Sequence, residues 1–472
     1  MTGRAICAIT AVFLFAAGCG PTESPPAPPG PAAAATAPSR PPPGRHAAEP
    51  LSELPAKPTL ADYLAYAALH NAGLAAAFDH WKAALEGVAQ AKALPDPRFT
   101  YQYFIREVET RVGPQRQSFA LSQTFPWLGK LELQGSAAAQ SAAAARQHFE
   151  AARLKLFSQV KDAYYEYYFL WRAIAVAEEN VRLLKLLEGV AQAKYRAAAA
   201  RYSDLIRAQV ELAKLDDRLR TLRDLRGPVM ARLNTALNRP AAAPLPWPTA
   251  AAEEDISLGD EQLLAWLAKN NPELKAMDFE IARRKLQIDL ARKDYFPDVT
   301  LGATYIDTSH AIGGMHPMED GKDPVIAMVS VNLPVWWDKL AAGVRQARRS
   351  HLAAQQQKAE RANSLSAELK MVVYRFRDAG RKIRLYRDTL LPKARQSYKA
   401  AEAAYRAGNV DFTDLIDAQR VLLEFELGYE RALADRGREL GRLEMLVGRE
   451  IPRAGRRERP DTDQEPAAGP SE

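Results

Sequence analysis

Cysteine is nearly absent from this chain of 472 residues, which contains only Cys7 and Cys19, both near the N-terminus. The rest of the chain therefore has no thiol for a disulfide, a cysteine-ligated zinc ion or a cysteine nucleophile. Histidine is also scarce, and its seven residues are scattered. No glycine-rich phosphate loop, His-Glu-x-x-His motif or nucleophile elbow is present. The sequence predicts a protein that is not an enzyme and binds no cofactor.

Long apolar runs are also lacking, since no stretch reaches the roughly 18 residues expected of a membrane-spanning helix. If the chain crosses a membrane, it must do so as β-strands in a closed barrel, because only helices and closed barrels satisfy all backbone polar groups in lipid. The net charge of +7 is mild and both signs are interspersed. Without a basic tract, this balance does not indicate a nucleic-acid partner.

The N-terminus has the pattern of an export signal. Arg4 precedes an apolar stretch, too short to span a bilayer, and small residues then lead to Cys19. We predict a lipoprotein signal peptide over residues 1–18 with Cys19 as the lipidated first residue; an ordinary signal peptide ending near a cysteine is the alternative. Gly20 in place of aspartate resembles the sorting pattern of outer-membrane lipoproteins. Residues 19–56, rich in proline and alanine, predict an extended tether.

An internal duplication organises the rest of the chain. Copy one spans residues 57–240, a linker covers 241–256, copy two spans 257–450, and a disordered tail is expected over 451–472. The match is clearest in two segments of each copy: Lys194-Tyr195-Arg196-Ala197 and Ser203-Asp204-Leu205-Ile206 in copy one, against Ala404-Tyr405-Arg406-Ala407 and Thr413-Asp414-Leu415-Ile416 in copy two.

Each copy repeats one order of elements. An amphipathic helical stretch (59–93 and 257–293) begins at Thr59 or Ser257, each a suitable N-cap. Two alternating strands follow and end at Pro126 or Pro334, because proline cannot donate to a strand ladder. A helix of about 65 residues comes next, roughly 100 Å long at 1.5 Å per residue. A turn then leads to a returning helix (203–237 and 413–447), so the long helices can pack side by side as in coiled coils.

The four predicted strands alternate apolar with small polar side chains, as in Phe99, Tyr101 and Tyr103. This pattern is typical of a barrel wall between lipid and water, although a soluble sandwich alternates too. Four strands cannot close a membrane barrel, so other subunits must complete the sheet. A trimer gives twelve strands and a water-filled lumen, whereas a dimer gives eight strands and an interior filled by side chains.

These features resemble the TolC-like outer-membrane efflux protein family over about residues 57–450. The duplicated unit, the proline-ended strands and the segment Asp414-Leu415-Ile416-Asp417-Ala418-Gln419 carry the resemblance. It implies a mainly helical homotrimer with a twelve-stranded outer-membrane β-barrel and a periplasmic α-barrel. It also implies a periplasmic adaptor (membrane fusion protein) and an inner-membrane transporter of the RND or ABC type, which drives drugs or metal ions through a passive exit duct. Within the family, the chain looks closest to the lipoprotein members of heavy-metal and multidrug resistance pumps.

Two other functions remain open at this point. A type I secretion outer-membrane channel is closely related to the first prediction. A periplasmic coiled-coil scaffold anchored by lipid is the second, but a scaffold has no need for four strands with one apolar face.

The turn between the second helix pair is the most informative candidate site. Gly408 is free to adopt a positive φ, and Asp411 or Thr413 could cap the returning helix. Asp414 and Asp417 share one helix face at i, i+3 spacing, so a trimer would stack two carboxylate rings that favour cations. The resemblance implies that both line the closed periplasmic aperture; the alternative is solvated acids in a first helical turn.

Copy one departs from this pattern, because Arg207 replaces Asp417 and alanines, including Ala198, replace the glycine region. Asp204 and Arg207 could form ion pairs between neighbouring hairpins. Both tips are candidate docking sites for the adaptor, with the residues Ala199, Asp204, Leu205, Gly408, Thr413 and Leu415.

The segment between the last two strands carries soft or borderline metal ligands close together, at His310, Met315, His316 and Met318. Such ligands could bind copper or silver, but a flexible loop with chance histidines and methionines is the simpler interpretation. An aromatic cluster at residues 164–171 is expected to pack between helices.

Overall fold

A computed structural model describes residues 53–198, 200–248, 256, 258–311 and 318–453. The predicted signal peptide, Cys19 and most of the tether lie outside these residues. Copy one comprises α1 Leu60–His70, α2 Ala72–Lys92, β1 Arg98–Val108, β2 Gln115–Phe125, α3 Lys130–Arg196, α4 Tyr202–Asp224 and α5 Arg226–Ala236. Copy two comprises α6 Asp260–Asn270, α7 Pro272–Lys293, β3 Val299–Thr308, β4 Val325–Val331, α8 Trp337–Leu385, a π-helical turn Tyr386–Leu390, α9 Leu391–Ala407 and α10 Phe412–Val447.

The opening helix of each copy is broken once, where the sequence pattern predicts a single helix. Asn71 and Asn271 adopt ψ of 117° and 121°, which ends the preceding helix. Each asparagine then caps the next helix, because its Oδ1 accepts the N–H three residues on, at 2.9 Å and 3.1 Å. Thr59 is confirmed as the N-cap of α1. Ser257 lies outside the described residues, and Gly259 occupies the N-cap position of α6.

The same two asparagines close each copy on itself. Nδ2 of Asn71 donates to the carbonyl of Ala236 at the end of α5, at 3.1 Å. Nδ2 of Asn271 donates to the carbonyl of Leu446 at the end of α10, at 2.8 Å. These closing asparagines therefore join the first helix pair of each copy to its last helix.

The four strands form one antiparallel sheet in the order β1-β2-β3-β4, so β1 and β4 are its outer strands. One row of the sheet pairs Tyr101, Phe119, Tyr305 and Val325 on the apolar face. The opposite face is mostly small and polar; there the hydroxyls of Thr124 and Thr300 are 2.9 Å apart. The predicted alternation is confirmed. The last residue of β2, Phe125, pairs with the first residue of β3, Val299, which in turn pairs with the last residue of β4, Val331. The helices that follow β2, precede β3 and follow β4 therefore all connect to the same end of the sheet.

The long helices differ between the copies. Helix α3 is continuous over 67 residues, which confirms the prediction for copy one. Its counterpart is not continuous, because the π-helical turn separates α8 from α9. Pro392 explains the turn, since it has no N–H for the carbonyl four residues earlier and its ring crowds that carbonyl. The returning helix of copy one is also interrupted, at Leu225 just before Pro228.

Buried apolar residues form three clusters along the helices, which include the predicted aromatic packing around Tyr164 and Tyr167. No helix of the described segments is both long and apolar enough to cross a membrane. The predicted linker and tail are partly packed, since Trp247 stacks on Tyr167 at 4.7 Å and Ile451 is buried. The folded part of the chain thus extends into the predicted linker and into the first residue of the predicted tail.

Candidate functional site

The tip of copy two is a tight turn between α9 and α10. Gly408 has a φ of 82°, which confirms the predicted left-handed glycine. Its N–H bonds to the carbonyl of Tyr405 at 3.1 Å, and the next N–H bonds to Ala404 at 2.9 Å, so the last carbonyls of α9 are satisfied. Asp411 occupies the N-cap position of α10, but its side chain makes no capping hydrogen bond. Of the two predicted caps, Asp411 is therefore confirmed as the N-cap residue, without a side-chain hydrogen bond, and Thr413 lies inside the helix.

Asp414 and Asp417 both lie exposed in the first two turns of α10. Asp417 is paired with Arg420, whose Nη1 lies 3.0 Å from Oδ1. Nη2 of the same guanidinium is 2.5 Å from Oε1 of Glu211 on α4. Arg420 therefore bridges two carboxylates that belong to the two different helical hairpins.

The bridge changes the ionisation of its members. The hydrogen bond from Arg420 lowers the pKa of Glu211, although partial burial of the carboxyl opposes this and Lys214 assists it. The Glu211 carboxylate in turn raises the pKa of Arg420. Sequence reasoning missed Glu211 and Arg420, because they are far apart along the chain. The one local signal was Arg420 at i+3 from Asp417 on the same helix face.

The tip of copy one uses the same backbone geometry without a glycine. Ala198 has a φ of 54°, and its N–H bonds to the carbonyl of Tyr195 at 2.9 Å. A left-handed residue with a Cβ costs about 1 kcal/mol or more relative to glycine. Ala198 therefore occupies, under strain, the position that Gly408 holds in copy two. Ala199 lies outside the described residues.

The two tips of one chain are tied together by polar contacts. Arg207 donates a hydrogen bond to the hydroxyl of Thr413, so it does link the hairpins, although its partner here is a hydroxyl rather than a carboxylate. Lys194 donates to the carbonyl of Tyr405 and lies 4.5 Å from the centre of its ring. Burial, and to a smaller extent the carboxylate of Asp204, raises the pKa of Tyr405.

The predicted docking residues differ in accessibility. Leu205 and Leu415 are both buried, and Leu415 belongs to the apolar cluster of the tips. Gly408 is exposed, and Asp204 and Thr413 are half-buried. The surface available at the tips therefore comes from the turns and the polar residues beside them.

The candidate metal loop is only partly described, because Met315 and His316 lie outside the described residues. The His310 ring nitrogen is 3.3 Å from Asp320, and Met318 is fully exposed. Among the residues that the structure describes, no three histidine, cysteine or carboxylate side chains are grouped to hold a metal ion.

Known proteins are similar to this chain in sequence and in fold. The sequence model of the outer membrane efflux protein family matches residues 263–449. The cobalt-zinc-cadmium resistance protein CzcC of Cupriavidus metallidurans is 25% identical in an alignment of 407 residues that covers 83% of this chain and 90% of that protein. The structure of CusC has a TM-score of 0.71 at 14% identity, over 90% of this chain and 99% of that chain. The outer membrane protein VceC of Vibrio cholerae has a TM-score of 0.69 at 17% identity, over 83% and 96%.

The family match falls within copy two, and the fold likeness extends over both copies with their sheet and long helices. The resemblance deduced from the duplicated unit is thereby confirmed. Over residues 263–449 the chain matches the outer membrane efflux protein family, and its described fold is that of the TolC-like outer-membrane channels.

Proposed function

We propose that this chain is the exit duct of a tripartite efflux system, a passive outer-membrane conduit for substrates delivered by an inner-membrane transporter through a periplasmic adaptor. The observation that carries the proposal is a four-stranded sheet with one apolar face, from one end of which all the long helices depart. β1 and β2 have 11 residues each and β3 has 10, which suits the roughly 9–11 residues of a tilted membrane strand.

The sheet supports a homotrimer as the working unit. Its outer strands, β1 and β4, would leave backbone groups unpaired in lipid, at several kcal/mol each. Pairing β4 of one subunit with β1 of the next subunit joins three sheets into a twelve-stranded barrel. The helices would then continue below it as a periplasmic tunnel, and lipidation of Cys19 would add an anchor in the same membrane.

Asp414 and Asp417 are proposed to line the periplasmic aperture. Both are exposed on one face of α10, so the three subunits of a trimer would place two carboxylate rings at one narrow point. The Arg420 bridge to Glu211 would hold α10 against α4 and keep the aperture closed. The exposed turn at Gly408 and the exposed residues Ala197 and Ala198 of the first tip are proposed as the adaptor-docking rim.

Metal cations are the substrate class that we favour, with drugs as the second class. CzcC is named for resistance to cobalt, zinc and cadmium, and stacked carboxylate rings attract cations. A type I secretion role is the nearest alternative, because the same duct could pass a protein.

Planar-bilayer recording of the purified full chain tests this proposal. Wild type should insert as trimers with a small, cation-selective resting conductance. The double change Asp414→Ala and Asp417→Ala should raise that conductance several-fold and lower the cation selectivity towards unity. The matched control Asp79→Ala and Glu86→Ala, which removes the same charge from exposed positions on α2, should change neither quantity. A chain without conductance and without trimers would instead favour the lipid-anchored scaffold.

A further inference from the structure

Aromatic side chains gather at the end of the sheet from which the helices depart. Trp127, after β2, stacks on Phe296, before β3, with ring centres 5.1 Å apart and an interplanar angle of 13°. Tyr295 lies 5.8 Å from Trp337 at the start of α8. Trp337 is 63% exposed and its neighbour Trp336 is 74% exposed. We call these five residues the junctional band. Trp127 and Phe296 pack against each other, whereas Trp336 and Trp337 are exposed.

The first turns of α8 beside this band are strongly basic. Residues 337–351 contain Lys339, Arg345, Arg348 and Arg349, all exposed, against the single carboxylate of Asp338. These four basic residues are called the basic segment. None of them has a salt bridge to a carboxylate of the described residues. Three cations further along the helix are paired with carboxylates of α6 and α7, namely Lys358 with Asp278, Arg361 with Glu273 and Arg377 with Asp260.

The spacing places the basic segment within reach of a membrane surface. Arg349 lies about 18 Å along α8 from Trp337, and Lys339 only about 3 Å, at 1.5 Å per residue. Tryptophan and tyrosine prefer the level of the lipid headgroups. Long basic side chains can reach back towards that level, and charges act over a Debye length of about 8–10 Å. A cluster of unpaired cations just outside a membrane segment attracts anionic lipid.

We propose that the junctional band and the basic segment together form a docking surface for anionic phospholipid headgroups of the periplasmic leaflet. The inference rests on the proposed function, because that function places this end of the sheet at the periplasmic face of the outer membrane. The aromatic rings set the depth of the barrel, and the basic segment selects phosphatidylglycerol-type lipid over zwitterionic lipid. The exposed Trp336 and Trp337 beside the cations favour this occupant over a second protein surface, because tryptophan prefers the level of the lipid headgroups.

The test uses the full chain in vesicles of phosphatidylethanolamine and phosphatidylglycerol, with one of the two lipids brominated at a time. Brominated lipid quenches the tryptophans that it contacts, so the ratio of the two quenching curves gives the lipid preference at the band. Wild type should prefer phosphatidylglycerol by about threefold or more, because each nearby cation contributes up to about fivefold. The change Arg345→Gln, Arg348→Gln and Arg349→Gln should bring the ratio close to one.

A matched control removes three exposed cations far from the band, by Lys370→Gln, Arg384→Gln and Lys399→Gln, and should keep the wild-type ratio. Equal quenching by both lipids in wild type, or equal loss in the control, would overturn the proposal. Conductance of the same vesicles separates the two hypotheses. Conducting channels without a lipid preference contradict only this inference, whereas vesicles without conductance and without quenching by either lipid contradict the exit-duct function itself.

Discussion

Arg420 is, with Arg207 and Lys194, one of three basic side chains that link the two hairpins of one chain near their tips. It contacts Asp417 on its own helix and Glu211 on α4. The guanidinium fork can serve two carboxylates at once, which a lysine could not do with the same geometry. A candidate aperture carboxylate is therefore linked to the neighbouring hairpin by one residue.

This bridge predicts an acid-sensitive aperture. The folded-state pKa of Glu211 lies below its ordinary value of 4.5, so the bridge stabilises the proposed closed aperture above that pH and is lost as pH falls through the lowered value. We expect the resting conductance of wild type to rise on acidification below 4.5. Glu211→Gln should raise it already at neutral pH and remove most of the acid response, while Glu86→Gln on α2 should behave as wild type.

The strained turn at Ala198 predicts opposite outcomes for two exchanges. Ala198→Gly should raise the free energy of local unfolding at the first tip by about 1 kcal/mol, because glycine adopts a positive φ without penalty. Gly408→Ala should lower it at the second tip by a similar amount. Native-state hydrogen exchange of the tip amides measures both. Ala197→Gly is the control, since its φ of −82° suits alanine and gains nothing from glycine.

At the scale of whole elements, the closing asparagines predict where each copy is most sensitive. Asn271→Ala removes the cap of α7 and leaves the carbonyl of Leu446 without this partner, which should cost about 2–3 kcal/mol. Asn71→Ala should cost less, because Asn71 is only half-buried. Urea unfolding of the solubilised protein measures both changes. Asn409→Ala, at the exposed tip, should stay within about 0.5 kcal/mol of wild type; an equal loss there would contradict the assignment.

The elements show how far sequence reasoning could reach. Strand alternation and the proline stops predicted all four strands, because a two-residue period and a missing N–H are local properties. The π-helical turn was missed although Pro392 was visible, since its effect depends on whether packing sustains the helix beyond it. Asn71 and Asn271 were missed because their partner carbonyls lie at the far end of each copy. Arg420 and Glu211 were missed for the same reason.

For the whole molecule, the outer strands predict a cross-linking pattern. Thr100→Cys on β1 with Ser330→Cys on β4, joined by a flexible bismaleimide, should produce covalent dimers and trimers and no larger species. Thr124→Cys with Thr300→Cys, on the paired strands β2 and β3, should cross-link only within one chain. Because Cys7 and Cys19 are the only natural cysteines, the background is low. Ladders beyond three subunits would contradict the closed trimer.

The pairing of β2 with β3 has a consequence for how the barrel is assembled. This seam joins the two copies inside one polypeptide, and it has the antiparallel geometry that each seam between subunits would need. A chain with only one copy would have to bring six molecules together. Covalent linkage makes every second seam unimolecular, with an effective local concentration in the millimolar range. Duplication therefore leaves two encounters between molecules instead of five, and dilution of the exported chain becomes a far smaller obstacle.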